Sequence, residues 1–202
     1  MKSILYILFV PAFILTQSAT AQENTFSVPK SLISPKIDGD IVQDEWEDAY
    51  SISFQNTDFI NTKVYIKSDK ECLYIAFENL INSNGIRLYP EILIDTKPNN
   101  NQWTNSCFWF HSSHSNCFST GEYYNWKDCN NNPEGWEANT YPFVNNNNNI
   151  EFKISFVKLQ LNATNKNIMK IAFKLSQTNE QTFYWPNSAN IDNPVSWFEI
   201  EF

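Results

Sequence analysis

From residue 51 to the C terminus, short runs of β-branched and aromatic residues alternate with stretches of Asn, Pro, Ser and Asp, the pattern of many strands joined by turns. The runs predict strands at 51–54, 62–68, 73–78, 91–95, 107–112, 136–140, 149–155, 167–176 and 197–202. In Glu91-Ile92-Leu93-Ile94-Asp95 a period of two sends Glu91, Leu93 and Asp95 to one face and Ile92 with Ile94 to the buried face. In Cys107-Phe108-Trp109-Phe110-His111, core positions for Phe108 and Phe110 turn Cys107, Trp109 and His111 outward together. Short helical turns are predicted at 44–50 and 156–161, with Trp46 and Ala49 at helical spacing. The class is all-β: a two-sheet antiparallel β-sandwich, immunoglobulin-like or jelly-roll-like, with one or two short helices. The Asn-rich stretches at 99–101, 130–132 and 145–149 read as loops, because the short amide competes with the strand ladder for backbone hydrogen bonds.

The N terminus departs from this pattern. An apolar run from Ile4 to Leu15, then polar residues and Ala19-Thr20-Ala21, has the layout of a secretory signal peptide over residues 1–21. That run is too short to cross a bilayer, no later segment is long and apolar enough, and no membrane span is expected. Residues 22–202 then form one domain, secreted or periplasmic. A formal net charge of −8 lacks the basic stripe that neutralises phosphates, so no nucleic-acid partner is expected. Four cysteines, at 72, 107, 117 and 129, enter an oxidising compartment. Cys72 lies in an apolar strand as a buried thiol or half of a bridge, and one disulfide is expected among Cys107, Cys117 and Cys129.

Several segments recur together in a known order. They are Ile37-Asp38-Gly39-Asp40-Ile41 followed by Asp44-Glu45-Trp46 and Ala49, then Leu73-Tyr74-Ile75-Ala76-Phe77 and Pro90-Glu91-Ile92-Leu93-Ile94-Asp95. Gly135-Trp136-Glu137-Ala138, Ile150-Glu151-Phe152-Lys153-Ile154, Ile171-Ala172-Phe173, Trp185 and Asn193-Pro194 before Trp197-Phe198-Glu199-Ile200 complete the series. In that order the chain resembles family 9 carbohydrate-binding modules and the wider DOMON-like β-sandwiches. The resemblance implies a non-enzymatic protein that binds a glycan or oligosaccharide in polysaccharide catabolism, beside a separately encoded glycoside hydrolase. It requires no cofactor and admits structural calcium.

A sugar presents an apolar face and a rim of hydroxyls, so its site needs an aromatic surface with a few fixed polar groups. The resemblance places a sugar-contacting carboxylate at Glu91, and polar contacts at the outward positions of the next strand, here Trp109 and His111. The family's aromatic clamp falls by spacing on Gly85 and Ile191, so either a clamp is rebuilt here from Tyr89, Trp103, Trp109, Trp126 or Trp185, or the ligand differs from the family's usual one. For metal, Asp38 and Asp40, near Asp44 and Glu45, offer the hard oxygens that Ca²⁺ accepts, without EF-hand spacing.

Three other functions compete. A glycoside hydrolase needs two carboxylates roughly 5 to 10 Å apart. Glu91 and Asp95 share a face, but four strand residues separate them by roughly 13 Å. A haem site would use Met169 with His111 or His114. A protein-interaction module would present the exposed aromatics to another cell-surface protein.

Overall fold

The computed structural model describes residues 25–54, 60–98, 103–113, 115–123, 125–139, 148–162, 167–178 and 181–201. The signal-peptide segment, His114 and most of the 145–149 run lie outside the described residues. The strands are β1 (Thr25–Ser27), β2 (Tyr50–Ser53), β3 (Lys63–Ser68), β4 (Cys72–Glu78), β5 (Tyr89–Asp95), β6 (Cys107–Ser112) and β7 (Asn116–Glu122). They continue as β8 (Asn125–Trp126), β9 (Trp136–Ala138), β10 (Ile150–Ser155), β11 (Ile168–Ser176), β12 (Thr182–Trp185) and β13 (Phe198–Glu201). A single helical turn, α1 (Gln43–Trp46), and a 3-10 turn at Pro194–Ser196 are the helical elements among the described residues.

Two sheets form a β-sandwich. The larger has eight strands in the order β1-β13-β11-β5-β6-β7-β8, with β12 also on β11. The smaller has five, β2-β3-β4-β10-β9. All pairings between these strands are antiparallel except β1 with β13.

Alternation decides which residues meet between the sheets. Ile66, Leu73, Ile75, Phe77, Phe152 and Ile154 from the smaller sheet face Ile92, Ile94, Phe108, Phe110, Ile171 and Phe173 from the larger. Phe77 on β4 meets Phe173 on β11 edge-on at 5.5 Å, and Trp136 on β9 meets Phe110 on β6 at 5.2 Å, so aromatic pairs tie the sheets together.

The outer faces are covered as well. Over the smaller sheet, the segment carrying α1 packs Trp46 against Cys72, Tyr74 and Ala76. Over the larger sheet, the connection from β12 to β13 lays Ala189 and Trp197 onto Leu93 and Ala172. That cover explains why β5 is buried at six of seven positions although its sequence alternates.

Strands β1, β7, β8 and β12 were not expected from the sequence. Asn116-Cys117-Phe118-Ser119-Thr120-Gly121 carries one large apolar residue, and pairing with β6 makes it a strand regardless of propensity. The expected helical turn at 156–161 is a hydrogen-bonded turn over residues 156–160, with Leu159 N–H on the Ser155 carbonyl and Leu161 N–H on the Phe156 carbonyl. Cys117 and Cys129 form a disulfide, while Cys72 and Cys107 are free and buried.

Candidate functional site

Strand register on the larger sheet's outer face brings a polar and aromatic cluster together. Lys174 on β11 lies directly across from Glu91 on β5, and His111 on β6 lies across from Glu91 on the other side. Trp109, across from Leu93, and Ser176, across from Tyr89, are the diagonal neighbours. A period of two gives all of them the same face.

Glu91 is 6% exposed and its carboxylate accepts three hydrogen bonds. Oε2 accepts the Trp109 indole N–H at 2.7 Å and a Lys174 Nζ hydrogen at 3.0 Å, with His111 Nδ1 3.7 Å away. Oε1 accepts the Ser176 hydroxyl. A carboxylate offers about four lone-pair positions, so these partners leave Glu91 little capacity for an added hydroxyl. The carboxylate thereby holds its neighbours in place. Trp109 is held by its N–H, with Lys174 Nζ 5.2 Å from its ring centroid and the His111 ring at 4.2 Å.

Burial, reinforced by the nearby Lys174 charge, lowers the His111 pKa, and the Glu91 charge opposes it. Burial raises the Tyr184 pKa. Near neutral pH this face therefore presents a neutral imidazole and a neutral phenol beside the Lys174 ammonium, a set able to donate to and accept from hydroxyls.

The aromatic surface continues sideways. Trp126 on β8 lies 5.4 Å from Trp109, and Trp103, ahead of β6, lies 5.0 Å from Trp126 with its ring nearly perpendicular. Gly121 permits this: a Cβ there would sit 2.6 Å from Trp103 Cδ1 and 2.6 Å from the Thr104 carbonyl. The Cys117–Cys129 disulfide anchors the neighbouring strand opposite His111. The sulfurs of that bridge and a His111 nitrogen lie within 4.8 Å of one another, but a disulfide leaves no thiolate for a metal.

Of the site residues expected from sequence, Glu91, Trp109 and His111 are brought together. Tyr89 is half-buried and packs on the main core. Trp185 also lies on the core side, 5.7 Å from Phe173 and 5.1 Å from Phe198, so it is not part of the cluster. Its neighbour Tyr184 points the other way and joins Trp109, Trp126 and Ile191 over Leu93 and Ala172. Lys174 and Ser176 were missed, although they occupy alternate positions of the predicted 167–176 strand and sequence could have flagged them as outward.

Asp38 and Asp40 occupy a different place, beyond the smaller sheet. Asp38 Oδ1 accepts the Asp40 N–H at 3.0 Å, and the Asp38 and Gly39 N–H groups donate to Glu151 Oε2 at 3.1 and 2.7 Å. Neither aspartate joins a cluster of three His, Cys, Asp or Glu ligands among the described residues. Glu151 is fully buried and also accepts the Trp46 indole N–H at 3.0 Å. Burial pushes its carboxyl up to about 7 against these three donors.

Among the described residues, neither Glu91 with Asp95 nor Met169 with His111 is brought together for the competing chemistries. Asp95 accepts from Ser106 and from the Lys97 N–H at its own end of β5, with its pKa raised by burial. Met169 is in the core, on the opposite face of the sheet from His111, so the two cannot sandwich one haem.

Solved structures agree on the fold. The chain is similar to a family 9 carbohydrate-binding module from Caldicellulosiruptor kristjanssonii in complex with glucose, at 20% identity and a TM-score of 0.61 over 88% of this chain and 94% of that one. It is likewise similar to such a module from the same organism in complex with cellotriose, at 19% identity and a TM-score of 0.60 over 88% and 92%. No protein-family model and no curated sequence matches the chain. The protein has the fold of family 9 carbohydrate-binding modules.

Proposed function

We propose that the outer face of the eight-stranded sheet binds a carbohydrate without chemical conversion, in an exported protein that serves polysaccharide breakdown by a separate enzyme. The observation that carries this reading is the Glu91 cluster: one buried carboxylate locks half-buried Trp109, Lys174 and Ser176 in place on the outer face of the larger sheet. A held indole loses little freedom when a pyranose packs on it, and pre-organisation of this kind favours affinity. Lys174, His111, Ser176 and Tyr184 supply polar contacts around the aromatic surface. The ligands of the similarly folded modules, glucose and cellotriose, support a sugar as the partner class.

Calorimetric titration of residues 22–202 with glucose, cello-oligosaccharides and a wider glycan panel tests the reading. Binding that Trp109→Ala abolishes, with an unchanged circular dichroism spectrum, is the expected result. Failure to bind any glycan would overturn it in favour of a protein-binding surface.

A further inference from the structure

Beside Trp103 is a cleft of about 310 Å³, lined by Trp103, Thr104, Gly121, Glu122, Tyr123 and Lys127. No feature of the Glu91 cluster requires it. Tyr123, just past the end of β7, is 89% exposed and holds φ at +46°. Glu122 pairs with Asn125, so Tyr123 opens the tight β7–β8 turn, where a positive φ is the ordinary geometry, and the turn presents its side chain at the cleft. Trp103 is 5% exposed, and its buried indole N–H has no acceptor among the described residues. The Cδ1–Nε1 edge of that ring lies over Gly121, on the wall of the cleft. Glu122 and Lys127, 3.4 Å apart, put an acceptor and a donor at the rim.

The Trp103–Trp126–Trp109 row joins this cleft to the Glu91 cluster through ring steps of 5.0 and 5.4 Å. We propose that the cleft between Trp103 and Tyr123 is a second sugar subsite, so that the face takes a linear oligosaccharide in preference to a single unit. The inference rests on the carbohydrate reading above. In it, Tyr123 stacks on an outer sugar unit, the Trp103 N–H meets a hydroxyl oxygen, and the Glu122–Lys127 pair contacts the hydroxyl rim.

Calorimetric titration of the wild type, Tyr123→Ala and Trp103→Phe with glucose and with cellotriose tests this. The wild type is expected to bind cellotriose more tightly. Tyr123→Ala, a change at an exposed side chain, should weaken cellotriose about five- to tenfold and leave glucose unchanged. Trp103→Phe, which keeps a ring and removes the N–H, should do the same more weakly. Equal wild-type affinities for the two sugars, or a Tyr123→Ala effect on both or on neither, would overturn the subsite while leaving the Glu91 cluster as a site for one unit. Binding of neither sugar by the wild type would overturn the carbohydrate reading and the subsite together.

Discussion

Trp109 donates its indole N–H to Glu91 across two neighbouring strands over 2.7 Å, so the ring at the centre of the outer face is oriented by a buried charge and not by packing alone. Hydrogen bonds to charged groups are worth about 1.5–3 kcal/mol, roughly twice a neutral one. Trp109→Phe keeps the aromatic surface and removes this bond. It is expected to lower stability by about 1–2 kcal/mol in urea unfolding, because Lys174 and Ser176 still satisfy Glu91. Sugar affinity should fall about tenfold as the ring loses its fixed orientation.

Glu91 and Lys174 lie 3.0 Å apart with side chains 8% and 13% exposed. Glu91→Gln leaves a shielded ammonium without its counter-ion, and a loss of about 2–3 kcal/mol is expected, less than for a fully buried pair. The double variant Glu91→Gln with Lys174→Met removes both charges and should recover most of that stability without recovering sugar binding. Urea midpoints combined with calorimetry separate the two effects.

Glu151 makes stability pH-dependent. Its pKa is raised to about 7 in the folded protein from 4.5, so the folded state binds the proton more tightly than the unfolded one. The contribution is fully present below pH 4.5 and is lost as pH rises through about 7. Between pH 5 and 8 the wild type should lose about 2 kcal/mol from this group, and Glu151→Gln should show that much less pH dependence in the same urea titrations.

The Cys117–Cys129 bridge closes a short loop, with a sequence separation of 12, beside His111. Chain-entropy arguments give a loop of this size about 3 kcal/mol. Reduction with a phosphine, or paired Cys→Ser substitution, should lower the thermal midpoint accordingly. The larger proportional effect is expected on sugar affinity, because β7 and β8 carry the wall of the tryptophan row.

The sheets and their inward faces were legible in the sequence because alternation is local: Ile92 and Ile94, or Phe108 and Phe110, can be assigned inward without knowing what they meet. The same alternation put Glu91, Trp109 and His111 outward together. Strands β7 and β12 were not legible, because Asn116–Glu122 and Thr182–Trp185 become strands by pairing with β6 and β11. Trp185 shows the same limit: its composition suits a sugar platform, and only the parity of β12 turns it to the core while Tyr184 faces outward.

By itself the sequence determined the all-β class and the outward placement of Glu91 and Trp109, since both follow from residue type and a period of two along single strands. Only the tertiary structure decided that Lys174 and Ser176 close around Glu91, that Gly121 seats Trp103 beside the row, and that Ile191 joins the outer-face cluster. The Glu91–Ser176 contact joins residues 85 positions apart. Pairing across such a separation depends on strand order and register, which single-strand periodicity does not encode.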